Sequence, residues 1–551
     1  MAGNRRDTSG KQILILGAGF GGAYTARYLG KMLRPGESAI SIVNSENYWV
    51  YQPLLPEVVS GNIGLTDTVS PIRRLCPRAG LVMRDVEEID LKNQLVTLSP
   101  GFRPKRVQVH YDRLVIGLGN ITKFLGMPGL QEHALPFRTL ADALKLRNHV
   151  IHALEEADFE SDLELRKKLL TFVVGGGGFS GVEVIAELND FVRAVARNYP
   201  GIPNEEIRCV LVHSGPRVLP EMVEGLALFA EKVLRKRGVE IRLNDRLEAA
   251  TSEKAFLKSG LEIPTKTIVS TVPATIPPVL DALNVPKERG RLAVNAQLEL
   301  SGYEGQVWVV GDCGAIKTAA GNPVPPTAQH AIREAKTVAH NITASIRGTA
   351  PKTFTYEGLG KLGSLGHNTA VADIFGIHIS GFFAWWLWRA IYLVKMPGWN
   401  RKVRIATDWF MNLLFPPDLV QLRVAGSSGI TQQHFQPGEV IFDEGDFGDS
   451  VFAIQEGECE VLRQIDGRPE KVTVLGPASF FGEMAVLTDC SRNATVRALT
   501  PVRVLSMSKA DFNKVREMVP AFAKVFSELA SRRRETPAAS DANNVQTTTG
   551  P

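Results

Sequence analysis

The chain has 551 residues, too many for one hydrophobic core, so three or four domains are expected. Hydrophobic residues make up 44% and charged residues 22%, the balance of an ordinary folded protein, and a formal net charge of +5 is small for this length. That charge excludes a strongly basic nucleic-acid binder, and no groove-reading motif appears; it suits nucleotide ligands or an anionic membrane surface. The five cysteines, at 76, 209, 313, 459 and 490, form no CxxC pair. A reduced compartment is therefore expected, with no zinc site and no disulfide redox centre. The polar start, MAGNRRDTSG, lacks the apolar stretch of a signal peptide.

Residues 11–22 read KQILILGAGFGG, an apolar strand running into Gly17, Gly19 and Gly22, with a helix expected over 23–33. In this spacing Gly17 permits the tight turn, Gly19 admits a pyrophosphate to the backbone, and Gly22 lets the helix lie against the strand. The helix N-terminus then faces the phosphates with free N–H groups. The strand over 40–43 ends in Asn44. Residues 171–183, TFVVGGGGFSGVE, repeat the device with Gly176, Gly178 and Gly181, followed by a helix carrying Glu183 and Glu187. Two such units a domain apart predict two nucleotides facing each other, one held and one exchanging. Residues 291–314 give an alternating strand, a turn, and an apolar strand over 307–310 that ends in Gly311 and Asp312.

Residues 11–420 resemble the type II NADH dehydrogenases, single-chain NADH:quinone oxidoreductases with FAD. The resemblance is carried by the glycine loops, YDRLVIGLG at 111–119, YQPLLPEV at 51–58, Gly311-Asp312, and PPTAQ at 325–329. It continues through Phe354-Thr355-Tyr356, Gly358, Leu362, Leu365-Gly366 and Ala370-Val371-Ala372. It implies that Asp312 binds the flavin ribityl chain and that NADH docks on the second glycine loop. Hydride would pass to flavin N5, and a quinone on the opposite face would take the electrons. It also implies a place for Glu183 near nicotinamide and flavin, and for Gln329 at the quinone headgroup. An acid at the first helical turn equally serves as plain helix stabilisation.

Three positions depart from the family pattern. Asn44 replaces the acid that binds the adenosine ribose of FAD, with Glu46 close by. His213 ends the strand over 209–212 where the family has Glu; with Arg217 nearby, the repulsion of a 2′-phosphate is gone, so NADPH stands beside NADH as a substrate. Arg333 replaces the second Gln of the quinone stretch, which leaves the acceptor open.

Residues 379–396, ISGFFAWWLWRAIYLVKM, are the most apolar of the chain. A helix over 380–394 is roughly 22 Å long, short of a ~30 Å hydrocarbon core, and Arg389 sits in its middle. Over 404–415, Arg404, Asp408 and Asn412 share one helical face beside an apolar stripe of Ile405, Trp409 and Leu413, flanked by Phe410 and Leu414. Tryptophans and the basic cluster of Arg401, Lys402 and Arg404 suit a helix lying in an anionic membrane interface; a buried core or dimer helix is the alternative.

After a small polar linker, residues 435–457 alternate with glycine punctuation, as a small β-roll does. FGEMAV at 481–486 and RNATV at 492–496 closely resemble the phosphate-binding cassette of cyclic-nucleotide-binding domains, such as those of the catabolite activator protein and the cyclic-nucleotide-dependent kinases. There Glu483 accepts from the ribose 2′-OH, Gly482, Asn493 and Ala494 contribute N–H groups, and Arg492 meets the cyclic phosphate with a bidentate fork. Asn493 matches neither the Ala of cAMP sites nor the Thr of cGMP sites; cAMP is the default. A helix over 509–529 and a disordered tail follow, without a helix-turn-helix.

The expected fold is α/β, with two Rossmann-type dinucleotide-binding domains, an amphipathic helical membrane-docking segment and a β-roll cyclic-nucleotide-binding domain. The expected boundaries are 10–150 with 291–350 for FAD, 151–290 for NAD(P)H, 351–421 for quinone and membrane, 422–433 for the linker, 434–533 for the cyclic nucleotide, and 534–551 for the tail. The expected function is an NAD(P)H:quinone oxidoreductase on the cytoplasmic face of the cell membrane, peripherally bound, regulated by cyclic nucleotide, and open to homodimerisation. Its rivals are a soluble flavin reductase with a non-quinone acceptor and a sensor whose turnover falls below about 1 s⁻¹.

Overall fold

The computed structural model describes residues 11–518 apart from 104, 123, 125, 272, 273, 357, 413, 416, 417, 423–429, 466, 467 and 489. Leu413, most of the linker, the far half of the helix expected over 509–529 and the tail lie outside the described residues.

Strand Lys11–Leu16 is apolar because it is central. It pairs in parallel with Ser38–Asn44 on one side and Arg113–Ile116 on the other, and both faces are covered. Val307–Val309 and Gly80–Met83 complete a five-stranded parallel sheet. The helices Phe20–Met32 and Ala328–Arg347 pack against each other over it, so Gly311-Asp312 and the first glycine loop emerge at the same edge. The second unit is a parallel sheet in the order Ala134–Pro136, Thr267–Ser270, Thr171–Gly175, Arg208–Val212, Val239–Arg242.

Three antiparallel strands, Gly360–Ser364, Ala370–Ile374 and Ile377–Gly381, lead into the helices Phe382–Lys395 and Trp399–Met411. Among the described residues no helix is long and apolar enough to cross a membrane. The placement of the second helix corrects the sequence reading. Ile405 and Trp409, the stripe assigned to the bilayer, are buried against the body, and Asp408 accepts from the Gly64 N–H at 3.0 Å. The exposed apolar face is instead Trp399, Val403 and Phe410, joined by Phe382, Phe383, Trp386 and Val394 of the preceding helix. An amphipathic period locates a stripe but does not say which side of the helix the protein covers.

Arg389 has an interior explanation. Its guanidinium lies between the rings of Trp385 and Trp409, at 4.1 and 4.6 Å, and reaches Glu57 Oε1 at 3.7 Å. Trp409 Nε1 donates to Glu57 Oε2 at 2.6 Å. Glu187 stands in the same group, accepting from Ser60 Oγ at 2.6 Å and Asn62 Nδ2 at 3.0 Å. Burial, which is resisted by Arg389, pushes Glu57 upward, and burial likewise raises Glu187. The segment over 51–58 is thus the seat on which both C-terminal helices rest.

The C-terminal module is a pair of four-stranded antiparallel sheets. One contains Thr431–Phe435, Val502–Ser508, Ser450–Glu456 and Phe480–Phe481; the other contains Val440–Phe442, Thr495–Ala498, Cys459–Ile465 and Arg468–Leu475. Phe452 and Phe481 stack in its core at 5.1 Å. Its first strand begins inside the expected linker, because Thr431-Gln432-Gln433 looks like loop yet pairs with Val502–Ser508.

Candidate functional site

The glycines of the first loop stand where side chains would not fit or where the backbone is open. Gly17 adopts φ +88°, and a Cβ there would overlap the Gly117 carbonyl, while a Cβ on Gly22 would overlap the carbonyl of Gly17. Beside Gly19 there is open space, the room a pyrophosphate needs. Asn44 lines the same cavity, but its side chain is used within the protein. Its Oδ1 accepts from the Ala18 N–H at 2.8 Å and its Nδ2 donates to the Glu46 carbonyl at 2.8 Å, so it braces the loop.

Asp312 also lines this cavity, and two residues the sequence reading missed hold it. Asn120 Nδ2 donates to its Oδ2 at 3.0 Å, and Arg138 Nη2 lies 3.4 Å from the same oxygen. Glu334 accepts from the Gly311 N–H at 2.7 Å and fixes the turn; burial raises its carboxyl to about 7. No local pattern marks these three, because each acts through a partner far away in the chain.

In the second loop Gly176 has φ +114°, and a Cβ on Gly181 would overlap the Gly176 carbonyl. Gly178 is clear except for Glu221, whose carboxylate lies 3.7 Å from where a Cβ would stand. His213 follows the strand Arg208–Val212. Its Nδ1 accepts from the Gly177 N–H at 3.1 Å, which puts the ring proton on Nε2, and burial lowers its pKa. Arg217 turns back to the Pro220 and Met222 carbonyls.

A cavity of about 660 Å³ opens between the two units. Phe20, Gln52, Arg138, Thr327 and Ala328 line both it and the cavity at the first glycine loop, so the two adjoin. Glu183 lines it, accepting from the Ser364 N–H at 3.0 Å, and burial raises its carboxyl to about 8, so it holds its proton at neutral pH. Gln329 lines it as well, though its carbonyl accepts from Tyr356 Oη and the Leu359 N–H, and its Nε2 donates to the Gly360 carbonyl. Tyr51, Tyr392, Arg333 and Lys395 complete the wall, with Arg333 over the Tyr356 ring at 5.2 Å. The sequence motifs assign no role to Tyr51 or Tyr392.

In the β-roll Glu483 starts the helix Glu483–Thr488 and is buried after Gly482 at φ +82°. Arg492 does not offer an open fork. Its Nη1 donates to the Gly482 carbonyl at 2.7 Å, its Nη2 to the Ser450 carbonyl at 2.8 Å, and it stacks 4.2 Å over Phe442. Its buried Nε has no hydrogen-bond partner among the described residues. Asn493 is exposed, with its carbonyl accepting from Arg463 Nε at 3.3 Å, and Ala494 is buried.

Two dinucleotide units facing one cavity define a two-nucleotide oxidoreductase, and the chain belongs to the pyridine nucleotide-disulphide oxidoreductase family, which matches residues 11–335. Within it the chain groups with the type II NADH:quinone oxidoreductases, the name that several of its relatives carry. The NDH2 C-terminal domain matches residues 359–418, and the cyclic nucleotide-binding domain matches 432–518. The demethylphylloquinone reductase NdbB of Synechocystis is 30% identical, over 72% of this chain and 95% of its own. The type II NADH:quinone oxidoreductase Ndh of Mycobacterium tuberculosis is 30% identical, over 73% of this chain and 88% of its own. The NDH2 of Plasmodium falciparum, solved in complex with NADH, shares the fold at 18% identity and a TM-score of 0.68, over 74% of this chain and 99% of its own.

Proposed function

We propose that the chain passes electrons from NADH to a membrane quinone on the cytoplasmic face of the cell membrane, under control of a cyclic nucleotide, with cAMP favoured. The observation that carries this reading is the cavity lined by Glu183 and Gln329, which adjoins the cavity at the first glycine loop across Arg138 and Thr327. FAD, when bound, would supply the two-electron chemistry between NADH and the quinone. The open backbone at Gly19, together with Asp312 held by Asn120 and Arg138, fits that cofactor. Protonated Glu183 gives a proton toward the quinone oxygen, and Gln329, with one N–H left over, orients a carbonyl.

The dinucleotide is NADH rather than NADPH. A neutral His213, a committed Arg217 and the nearby Glu221 leave a 2′-phosphate without a cation and beside an acid. Steady-state oxidation with a soluble quinone analogue is expected to favour NADH by tenfold or more in kcat/KM, which corresponds to about 1.4 kcal/mol. Equal or better use of NADPH sinks this assignment. Arg333 at the cavity wall supports a second reading, in which the acceptor is a soluble, anionic quinone-like molecule; a higher kcat/KM for such a molecule than for a lipid quinone on liposomes would select it.

Regulation has a physical route. His133 accepts from the His434 N–H at 2.9 Å, Thr251 Oγ1 donates to Glu439 at 3.0 Å, and Glu132 meets Arg503 at 3.3 Å, so the β-roll rests on the helix Leu130–His133. Five residues beyond His133 stands Arg138, which touches Asp312. A nucleotide that shifts the roll thereby reaches the flavin cradle. Saturating cAMP is expected to change kcat or KM of the wild type, and Arg492→Ala is expected to weaken cAMP binding roughly hundredfold, from the loss of a charged hydrogen-bond donor. If cAMP and cGMP both leave the kinetics unchanged, in detergent and on liposomes, regulation is refuted.

A further inference from the structure

A second cavity, under the start of the Trp399–Met411 helix, has no part in the electron-transfer chemistry. It encloses about 380 Å³ and is lined by Arg27, Arg74, Arg401 and Arg404, with Ser70 and the turn Pro397-Gly398-Trp399. Among the described residues no aspartate or glutamate lines it. The compensating acid, Asp67, takes both Arg401 and Arg404 on one carboxyl oxygen, at 2.9 and 3.6 Å. Arg27 lies 5.7 Å over the Tyr24 ring, and Arg74 is exposed. Asp408 stands beside Asp67 at Gly64 and also faces Arg404, so four guanidinium groups meet two carboxylates, an excess of positive charge that a bound anion relieves. The helix that starts there has no side-chain cap at Gly398, so its first N–H groups and the positive end of its dipole add to the same field.

The surroundings say what kind of anion fits. Trp399 lines the cavity and is 76% exposed, and it continues into Val403 and Phe410 on the outer face of the helix. A cationic pocket whose rim is an apolar ridge matches a molecule with an anionic head and hydrocarbon tails, lying parallel to that ridge. We propose that this cavity binds the phosphate of an anionic phospholipid, with Trp399 at the boundary between headgroup and acyl chain. The proposal rests on the membrane-surface reading and sharpens it from a diffuse basic patch to a defined lipid site.

The test uses the full-length flavin-loaded protein and vesicles of phosphatidylcholine, alone or mixed with phosphatidylglycerol. Wild type is expected to pellet with the mixed vesicles. Arg74→Gln/Arg404→Gln is expected to bind them roughly thirty-fold more weakly, while NADH oxidation with a water-soluble quinone persists and shows the variant to be folded. Lys402→Gln removes a charge on the same helix outside the cavity and is expected to cost clearly less than either pocket arginine alone. Short-chain phosphatidylglycerol below its micelle concentration is expected to slow hydrogen exchange at 399–401, and inorganic phosphate at the same concentration is not.

Failure of the wild type to pellet with either vesicle overturns the membrane reading and the lipid site together. Normal pelleting of the double variant, or an equal loss in Lys402→Gln, overturns the lipid site alone. Equal protection by inorganic phosphate reassigns the cavity to a soluble anion and also overturns the proposal.

Discussion

Glutamine at position 183 is expected to slow quinone reduction by roughly 10²-fold, the lower range for loss of a positioned proton donor. Reduction of the bound flavin by NADH, followed in a stopped-flow half-reaction, is expected to stay within about threefold of wild type, because the proton proposed for Glu183 is needed only once the flavin is reduced. The pH profile separates a proton donor from a packing group. Burial raises the Glu183 carboxyl from 4.5 to about 8, so the acid form is present at neutral pH and is lost as pH climbs through that value. Wild-type kcat is therefore expected to fall above about pH 8, and the glutamine variant to lose that limb. An unchanged alkaline limb in Glu183→Gln assigns the proton elsewhere.

Arg389→Ala is expected to destabilise the protein by about 3–5 kcal/mol, the cost of leaving buried acids without their cation. Glu57 and Glu187 lose the guanidinium that both of them face, and Trp385 and Trp409 lose the group between them. The loss carries a pH signature. Both carboxyls have raised folded pKa values, so the folded state holds protons that the unfolded state releases, and stability declines as pH rises through the folded values. Without Arg389 those values rise further, so thermal unfolding is expected to show a larger deficit at about pH 9 than at about pH 6. A deficit of the same size at both, or below about 1 kcal/mol, contradicts the ion-pair account.

Much of this architecture is visible in the sequence where backbone geometry constrains residue type. The two glycine loops are unmistakable because Gly17, Gly22, Gly176 and Gly181 each occupy a place that a Cβ would fill with overlap. Residues that work through distant partners leave no such trace. Arg138 and Asn120 reach Asp312 across 174 and 192 positions, and Glu334 reads as a surface acid on a helix that is in fact buried. Ionisation is equally hidden. His213 looks like a phosphate partner until the Gly177 N–H claims its Nδ1, and Arg492 looks like an open fork until two carbonyls occupy it. The Trp399–Met411 helix shows the same gap: its period is plain, but only the seat at Glu57 tells which stripe turns inward.

That seat has a consequence for how the molecule is made. Trp409 and Glu57 lie 352 positions apart, and Asp408 meets Gly64 across 344. Closing loops of that length is slow and waits on the parts that present the partner groups. The two aromatic helices therefore dock only on an N-terminal domain that has already condensed, since domains of a growing chain fold in order of emergence. A chain whose first domain misfolds has nowhere to put Arg389 and Trp409, and exposes both sides of these helices to chaperones and proteases.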